Sequence, residues 1–147
     1  MIQYIGVFIL LIPCGISDLR TRLVPVWFVG IFAVLAAVYH LLFSSDFLLQ
    51  AAAGTAAGLL FVLISRLTGG ALGMGDALVI TALGLWCGFR DSVSLILFAF
   101  ILAGIFGGVW MLVRKKKCHD DLPFVPFLLF SAAVSCIFSA AQGALAV

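Results

Sequence analysis

The sequence predicts an all-α, polytopic membrane protein of about six transmembrane helices. Of its 147 residues, 65% are hydrophobic and only 10% are charged, and the mean hydropathy is +1.34. A water-soluble domain of this size would need more polar residues to cover its surface. Because a backbone in lipid must satisfy its own hydrogen bonds, and because the apolar runs lack strand-like alternation, we expect helices. The length favours one domain spanning residues 1–147.

Short polar segments divide the chain into apolar runs at about 2–17, 26–43, 47–65, 72–89, 92–113 and 122–142. No Lys or Arg precedes the first run and no A-x-A-like site follows it, so we expect a retained helix rather than a signal peptide. Two pairs of glycines, Gly54 with Gly58 and Gly104 with Gly108, have the spacing of closely packed membrane helices.

The basic residues predict the orientation of the helices. Seven of the eight lie in the loops after the first, third and fifth predicted helices, and only Arg90 lies on the other face. The positive-inside rule then places those loops in the cytoplasm, with both termini outside a cytoplasmic (inner) membrane. The net charge of +2 is too small to indicate nucleic-acid binding, and the sequence does not indicate an oligomeric state.

Two aspartates, Asp18 and Asp76, fall at apolar runs, whereas the other four acidic residues lie in predicted loops. A helix needs about 20 residues to cross the hydrocarbon core. The first run reaches that length only by continuing toward Arg20, and the fourth only by beginning near Leu72. Length alone therefore places both carboxylates at a similar depth on the cytoplasmic side. Ionisable groups are costly there and indicate function.

Paired carboxylates without other catalytic partners favour aspartic-protease chemistry. The two histidines, His40 and His119, are poorly placed to serve as the base for a membrane thiol or hydroxyl. A metal site would need His, Cys or Glu residues clustered with the aspartates, and only Cys14 lies near one of them, one turn from Asp18. We therefore expect no metal and no cofactor. Two neighbouring carboxyls share one proton, so the ionised one can activate water while the protonated one polarises the scissile carbonyl.

Helix ends suggest roles for the two aspartates. Asp76 lies in the first turn of the fourth helix, where the dipole favours a carboxylate, and Asp18 lies near the C-terminal end of the first. We therefore predict Asp76 as the initial base and Asp18 as the acid. Gly73 and Gly75 permit positive φ and close approach of a substrate backbone. The alternative is that this segment is a simple loop-to-helix turn.

Three motifs follow one another along the predicted cytoplasmic face: Asp18-Leu19-Arg20-Thr21-Arg22-Leu23-Val24-Pro25, Gly73-Met74-Gly75-Asp76 and Leu122-Pro123-Phe124-Val125-Pro126-Phe127. The first resembles the D-x-R-x-R-x-x-P stretch of the type IV prepilin peptidases, which are GxGD intramembrane aspartic proteases. The second matches the GxGD motif of that family, and the third resembles its PFxPF-like segment. The resemblance covers essentially the whole chain.

The resemblance implies that Asp18 and Asp76 are the catalytic pair. It also implies removal of the short basic leader of type IV prepilins or related pseudopilins, just before their hydrophobic segment. Larger members of the family carry an extra N-terminal segment with paired cysteines, and many also N-methylate the new pilin terminus. The chain resembles the short form without that segment, so we expect the peptidase activity rather than the methyltransferase.

Other residues of the motifs have two interpretations each. Arg20 and Arg22 either orient the substrate backbone or anchor the first helix at the lipid headgroups. Pro123 and Pro126 suit the first turn of the sixth helix, and the resemblance implies that they lie beside the cleft.

A non-enzymatic function is the alternative hypothesis. Asp18 and Asp76 could relay protons or bind a cation in a small transporter or assembly subunit, since intramembrane acids also serve pumps. Transporters often contain repeated halves, which the sequence does not show.

Overall fold

The computed structural model describes residues 2–43, 47–69, 73–114 and 124–145, which fold into five α-helices. The helices are α1 (Ile2–Thr21), α2 (Val26–Phe43), α3 (Leu48–Leu67), α4 (Met74–Arg114) and α5 (Val125–Leu145). No strand occurs within these ranges. The prediction of an all-α protein is therefore confirmed.

Helix α4 is broken at Gly88, where the backbone has φ 78° and ψ 179°. Few residues other than glycine adopt this combination. The break divides α4 into a first arm (74–87) and a second arm (89–114). The sequence predicted two helices here, separated by a loop at Arg90 and Asp91. That boundary is wrong, because the chain turns at Gly88 and both charged residues are helical.

The two arms of α4 run in opposite directions. The first arm begins at Met74 and reaches Trp86, whose ring lies against Gly6 near the start of α1. The second arm returns from there, because the ring of Phe100 lies 4.8 Å from that of Phe124, just before α5. We call the end of the bundle that contains Asp18 and Asp76 the aspartate end, and the end that contains Gly88 the opposite end.

Helix length and composition identify a multi-pass membrane protein. Within the described part of the chain, four helices are long and apolar enough to cross a membrane, and the fourth, Met74–Trp110, is 37 residues long. Helix α5 contributes a shorter apolar segment, Val125–Ser139. Since the break at Gly88 turns α4 back on itself, α4 supplies two passes. With α1, α2, α3 and α5, this agrees with about six spans.

The core lies where α1, the first arm of α4 and α5 meet. Its largest fully buried side chains include Leu10 and Leu11 from α1, Ile80 and Leu83 from α4, and Leu128 from α5. These three segments also carry the two aspartates and the residue that contacts Asp18. The buried core of the molecule therefore supports the candidate site.

One of the two predicted glycine contacts is present. Gly54 and Gly58 on α3 lie against the backbone of α4 at Gly84 and Thr81, so close that neither glycine has space for a side chain. In contrast, no described atom lies within 4 Å of a Cβ placed at Gly104 or Gly108. Among the described residues, this second pair therefore lacks the predicted close packing.

Candidate active site

Asp18 lies near the end of α1 and is only 5% exposed. The predicted extension of the first helix is confirmed, since α1 continues to Thr21. After Asp18, the chain turns sharply toward α2. The Ser17 hydroxyl donates to the carbonyl of Leu23 over 2.7 Å, and Arg22 adopts a left-handed φ of 54°. These local contacts fix the end of α1 and hence the depth of the carboxylate.

The buried carboxylate of Asp18 accepts a hydrogen bond from the backbone of another helix. The N–H of Val125, the first residue of α5, donates to Oδ2 of Asp18 over 3.2 Å. The first N–H groups of a helix have no partner within it. Pro126 has no N–H, and the N–H of Phe127 donates to the carbonyl of Phe124 over 3.0 Å. Asp18 therefore caps α5 from a position 107 residues away in the chain.

Asp76 lies in the first turn of α4 at the same end of the bundle. The N–H of Ala77 donates to the carbonyl of Gly73 over 3.1 Å, which closes that turn. The Asp76 side chain is half-buried, and the preceding Gly75 packs against Val24, which follows the end of α1 that carries Asp18. The fold therefore brings the two aspartates of the apolar runs into one neighbourhood.

The two glycines before Asp76 provide space rather than an unusual backbone conformation. Neither Gly73 nor Gly75 has a positive φ. A Cβ at Gly73 would lie 2.8 Å from Oδ2 of Asp76, and a Cβ at Gly75 would lie 2.8 Å from Cβ of Val24. Gly73 leaves room for the carboxylate of Asp76, and Gly75 lets the segment before α2 pack against α4.

The basic residues of the first motif are exposed. Arg20 and Arg22 lie on the surface at the aspartate end, and within the described ranges neither forms an ion pair with a carboxylate. Both interpretations of these arginines, substrate orientation and headgroup anchoring, agree with this position.

The third motif reaches the site through Val125 rather than through its prolines. Pro126 is half-buried in the first turn of α5, next to the N–H that binds Asp18. Pro123 lies outside the described residues, as does Leu72, where the fourth helix was expected to begin. The described part of α4 starts at Met74.

The contact between Val125 and Asp18 was not predicted from the sequence, and it changes the electrostatic argument about roles. Asp18 lies at the C-terminal end of α1, but it also lies at the N-terminal end of α5, where a helix dipole favours a carboxylate. Both aspartates therefore have a helix N-terminus beside them. Helix ends no longer distinguish the base from the acid.

The opposite end of the bundle holds the only other titratable side chain that is buried and hydrogen-bonded within the described ranges. Nε2 of His40, which is 3% exposed, lies 3.2 Å from the carbonyl oxygen of Trp86. This carbonyl belongs to the last turn of the first arm of α4, which ends at Gly88. This contact places His40 at the end of the bundle away from the aspartates.

Comparison with known proteins identifies relatives of the chain. The model of the type IV leader peptidase family matches residues 5–108, which include Asp18 and Asp76. A prepilin leader peptidase/N-methyltransferase of Bacillus subtilis is 25% identical over 130 residues, covering 88% of this chain and 52% of the relative. A protein of the same name from Xanthomonas campestris is 30% identical over 73 residues, covering 49% of this chain and 25% of the relative.

The chain spans about half the length of one curated relative and about a quarter of the other. No solved structure matches it. The family match nevertheless covers most of the chain, and it includes two of the three motifs from which the family was predicted. The chain therefore belongs to the type IV leader peptidase family.

Proposed function

We propose that this protein is an intramembrane aspartic endopeptidase that removes the leader of type IV prepilins or pseudopilins. The observation that carries the proposal is the juxtaposition of Asp18 and Asp76. They lie 58 positions apart in the sequence, yet both lie at one end of the bundle, where Gly75 beside Asp76 packs against Val24 just after α1. Membership of the leader peptidase family supplies the class of substrate.

In the proposed mechanism, the two carboxyls share one proton. The ionised carboxylate removes a proton from a water molecule as its oxygen attacks the scissile carbonyl carbon. The protonated carboxyl donates a hydrogen bond to the carbonyl oxygen, which becomes negative as the tetrahedral intermediate forms. The intermediate then breaks its C–N bond, and the leaving nitrogen takes up a proton from the pair. Either aspartate can begin as the base, because both lie beside a helix N-terminus.

Further residues have supporting roles in the proposal. Gly73 leaves space for the Asp76 carboxylate, Gly75 allows Val24 to approach, and Val125 holds Asp18 through its N–H. Arg20 and Arg22 lie at the same end and orient the substrate backbone near the headgroups. Pro126, together with Pro123, sets the start of α5 beside the cleft.

We propose that the aspartate end faces the cytoplasm. The exposed side chains of Arg20, Arg22 and Arg66 lie at this end, and the exposed Arg90 lies at the opposite end. This asymmetry of the described residues follows the positive-inside rule. A cytoplasmic site would meet the basic leader, which lies just before the pilin's hydrophobic segment.

The proposal is tested by coexpressing the chain with a prepilin-like protein from the same genome and measuring removal of the leader on a gel. We expect cleavage by the wild type and by Asp46→Asn, which removes one acidic residue elsewhere. Asp18→Asn and Asp76→Asn should each abolish cleavage while the protein remains in the membrane. Cleavage that survives both substitutions would rule out the aspartic mechanism. The transporter alternative would instead be favoured if the wild type does not cleave but carries protons or cations, and if the two aspartate substitutions abolish that flux.

A further inference from the structure

A cavity of about 470 Å³ lies at the opposite end of the bundle, between α1, the second arm of α4 and α5. Its volume is within the range of about 300–1,000 Å³ that is typical of ligand sites. Val7, Cys87 and Leu95 form a buried inner wall, whereas Phe98 and Phe138 at the rim are exposed. The cavity therefore opens sideways, toward the lipid that surrounds a membrane protein. It is separate from the aspartate pair.

The depth of each lining residue follows from the register between α4 and α5. The hydroxyl of Ser131 on α5 donates to the carbonyl of Leu95 on α4 over 2.8 Å. The two segments are antiparallel, so one helical turn further out Ser135 lies level with Asp91. In the other direction, the second arm continues inward to Phe98. The cavity thus changes character along its length.

Most of its polar side chains lie in its outer part. Tyr4, Asp91, Ser135 and Ser139 line the cavity toward the bundle end, together with the ring of Phe138. Toward the membrane centre the lining is mostly apolar, from Val7, Leu95 and Phe98, with Ser94 as its one hydroxyl group among the described residues. This gradient matches an amphipathic molecule that lies parallel to the helices, with its head at the membrane surface and its chain in the hydrocarbon region.

Charge at the outer part indicates which head group fits. Asp91 is exposed at the cavity and supplies a carboxylate for a cationic group. Arg90, the preceding residue, does not line the cavity, but its long exposed side chain can turn its guanidinium toward a phosphate at the rim. Serine hydroxyls add hydrogen-bonding groups. A head group with a phosphate and a primary ammonium satisfies both charges, whereas an anionic glycerol head group leaves Asp91 without a counter-charge.

We propose that this cavity is a binding site for a zwitterionic phospholipid whose head group carries a primary ammonium. The ammonium binds Asp91, the phosphate lies near Arg90, and one acyl chain follows the apolar wall toward Phe98. The site belongs to the membrane leaflet at the end away from the aspartates. It does not depend on the proposed peptidase activity.

Native mass spectrometry of the full chain in detergent tests the site, with phosphatidylethanolamine and phosphatidylglycerol added at equal concentration. We expect phosphatidylethanolamine to be preferred about fivefold, as one partly exposed charge pair allows. Asp91→Asn should reduce this preference to about one. Asp76→Asn, which makes the same change of charge at the aspartate end, should retain the preference. Equal binding of both lipids by the wild type would overturn the proposal, as would an unchanged preference in Asp91→Asn.

A second variant tests the cavity rather than the charge. Ser139→Trp places a large ring at the exposed rim, where the fold tolerates it, and should lower binding of both lipids several-fold. Soluble phosphoethanolamine, which has the head group without chains, should not displace bound phosphatidylethanolamine. Unchanged lipid binding by Ser139→Trp, or displacement by the soluble head group, would contradict the assignment of the cavity to a lipid with its chain inside.

Discussion

Asp18 combines a structural role with its proposed chemical role. Its Oδ2 accepts the N–H of Val125, so the same side chain that we propose for catalysis also completes the first turn of α5. An amide oxygen accepts this hydrogen bond as a carboxylate oxygen does, but an amide cannot exchange a proton in the reaction. The two roles of Asp18 are therefore separable by the choice of substitution.

Asp18→Asn and Asp18→Ala should both abolish cleavage, lowering its rate by about 10²–10⁴-fold, as expected for loss of general acid–base catalysis. Only Asp18→Ala leaves the buried N–H of Val125 without a partner, which costs about 1–3 kcal/mol of unfolding free energy. Unfolding in detergent, followed by circular dichroism, would detect this difference. Equal stability of the two variants would contradict the capping role.

At the scale of single elements, Gly88 determines how α4 folds back. Its φ of 78° and ψ of 179° fall in a region that side chains disfavour, and a Cβ there would lie 2.6 Å from the ring of Phe47. The buried hydroxyl of Ser92 donates to the carbonyl of Gly88 and holds the corner. The corner thus depends on both a backbone conformation and a close contact.

Gly88→Ala should lower the free energy of unfolding by about 2–3 kcal/mol, because it strains the backbone and crowds Phe47. Gly69→Ala is the matched control, since Gly69 also has a positive φ, 65°, but no atom of the described residues lies within 4 Å of its Cβ position. For the control, we expect the free energy of unfolding to fall by only about 1 kcal/mol, because only the backbone is strained. Equal effects, measured by unfolding in detergent, would show that the Phe47 contact is unimportant.

The close contact between α3 and α4 depends on the absence of a side chain at Gly54. Gly54→Ala should destabilise the fold by about 1–3 kcal/mol, because the new methyl group meets the backbone of Gly84. Gly104→Ala makes the same change in open space and should be nearly neutral. Thermal unfolding of the two variants in the same detergent provides the comparison. A loss in Gly104→Ala as large as that in Gly54→Ala would contradict the packing described for both helices.

Glycine spacing therefore predicts packing only in part. The pairs Gly54 with Gly58 and Gly104 with Gly108 have the same spacing, but only the first faces a neighbouring helix in the described structure. The sequence does not specify which side of a helix faces a partner when all sides are apolar. For the same reason the corner at Gly88 was not predicted, because Arg90 and Asp91 were the more obvious polar boundary.

At the scale of the whole molecule, the length of the apolar runs predicted more of the candidate site than any motif alone. Spans of about 20 residues required Asp18 and Asp76 to enter the bundle at the same end, and they lie there. The partner of Asp18 was not predictable, because a backbone N–H at position 125 carries no signal in the side-chain pattern. The acid and base roles depended on that missing contact, so helix ends viewed one at a time could not assign them.

The central claim is that Asp18 and Asp76 act as one catalytic unit. Its most direct test is the rate of leader removal from a purified prepilin by the wild type, Asp18→Asn, Asp76→Asn and the double variant, each in the same lipid. Residues that act as a unit have non-additive effects. We predict that each single substitution lowers the rate by about 10²–10⁴-fold and that the double variant is no slower than either. A near-wild-type rate in one single variant, or losses that multiply in the double variant, would contradict the claim.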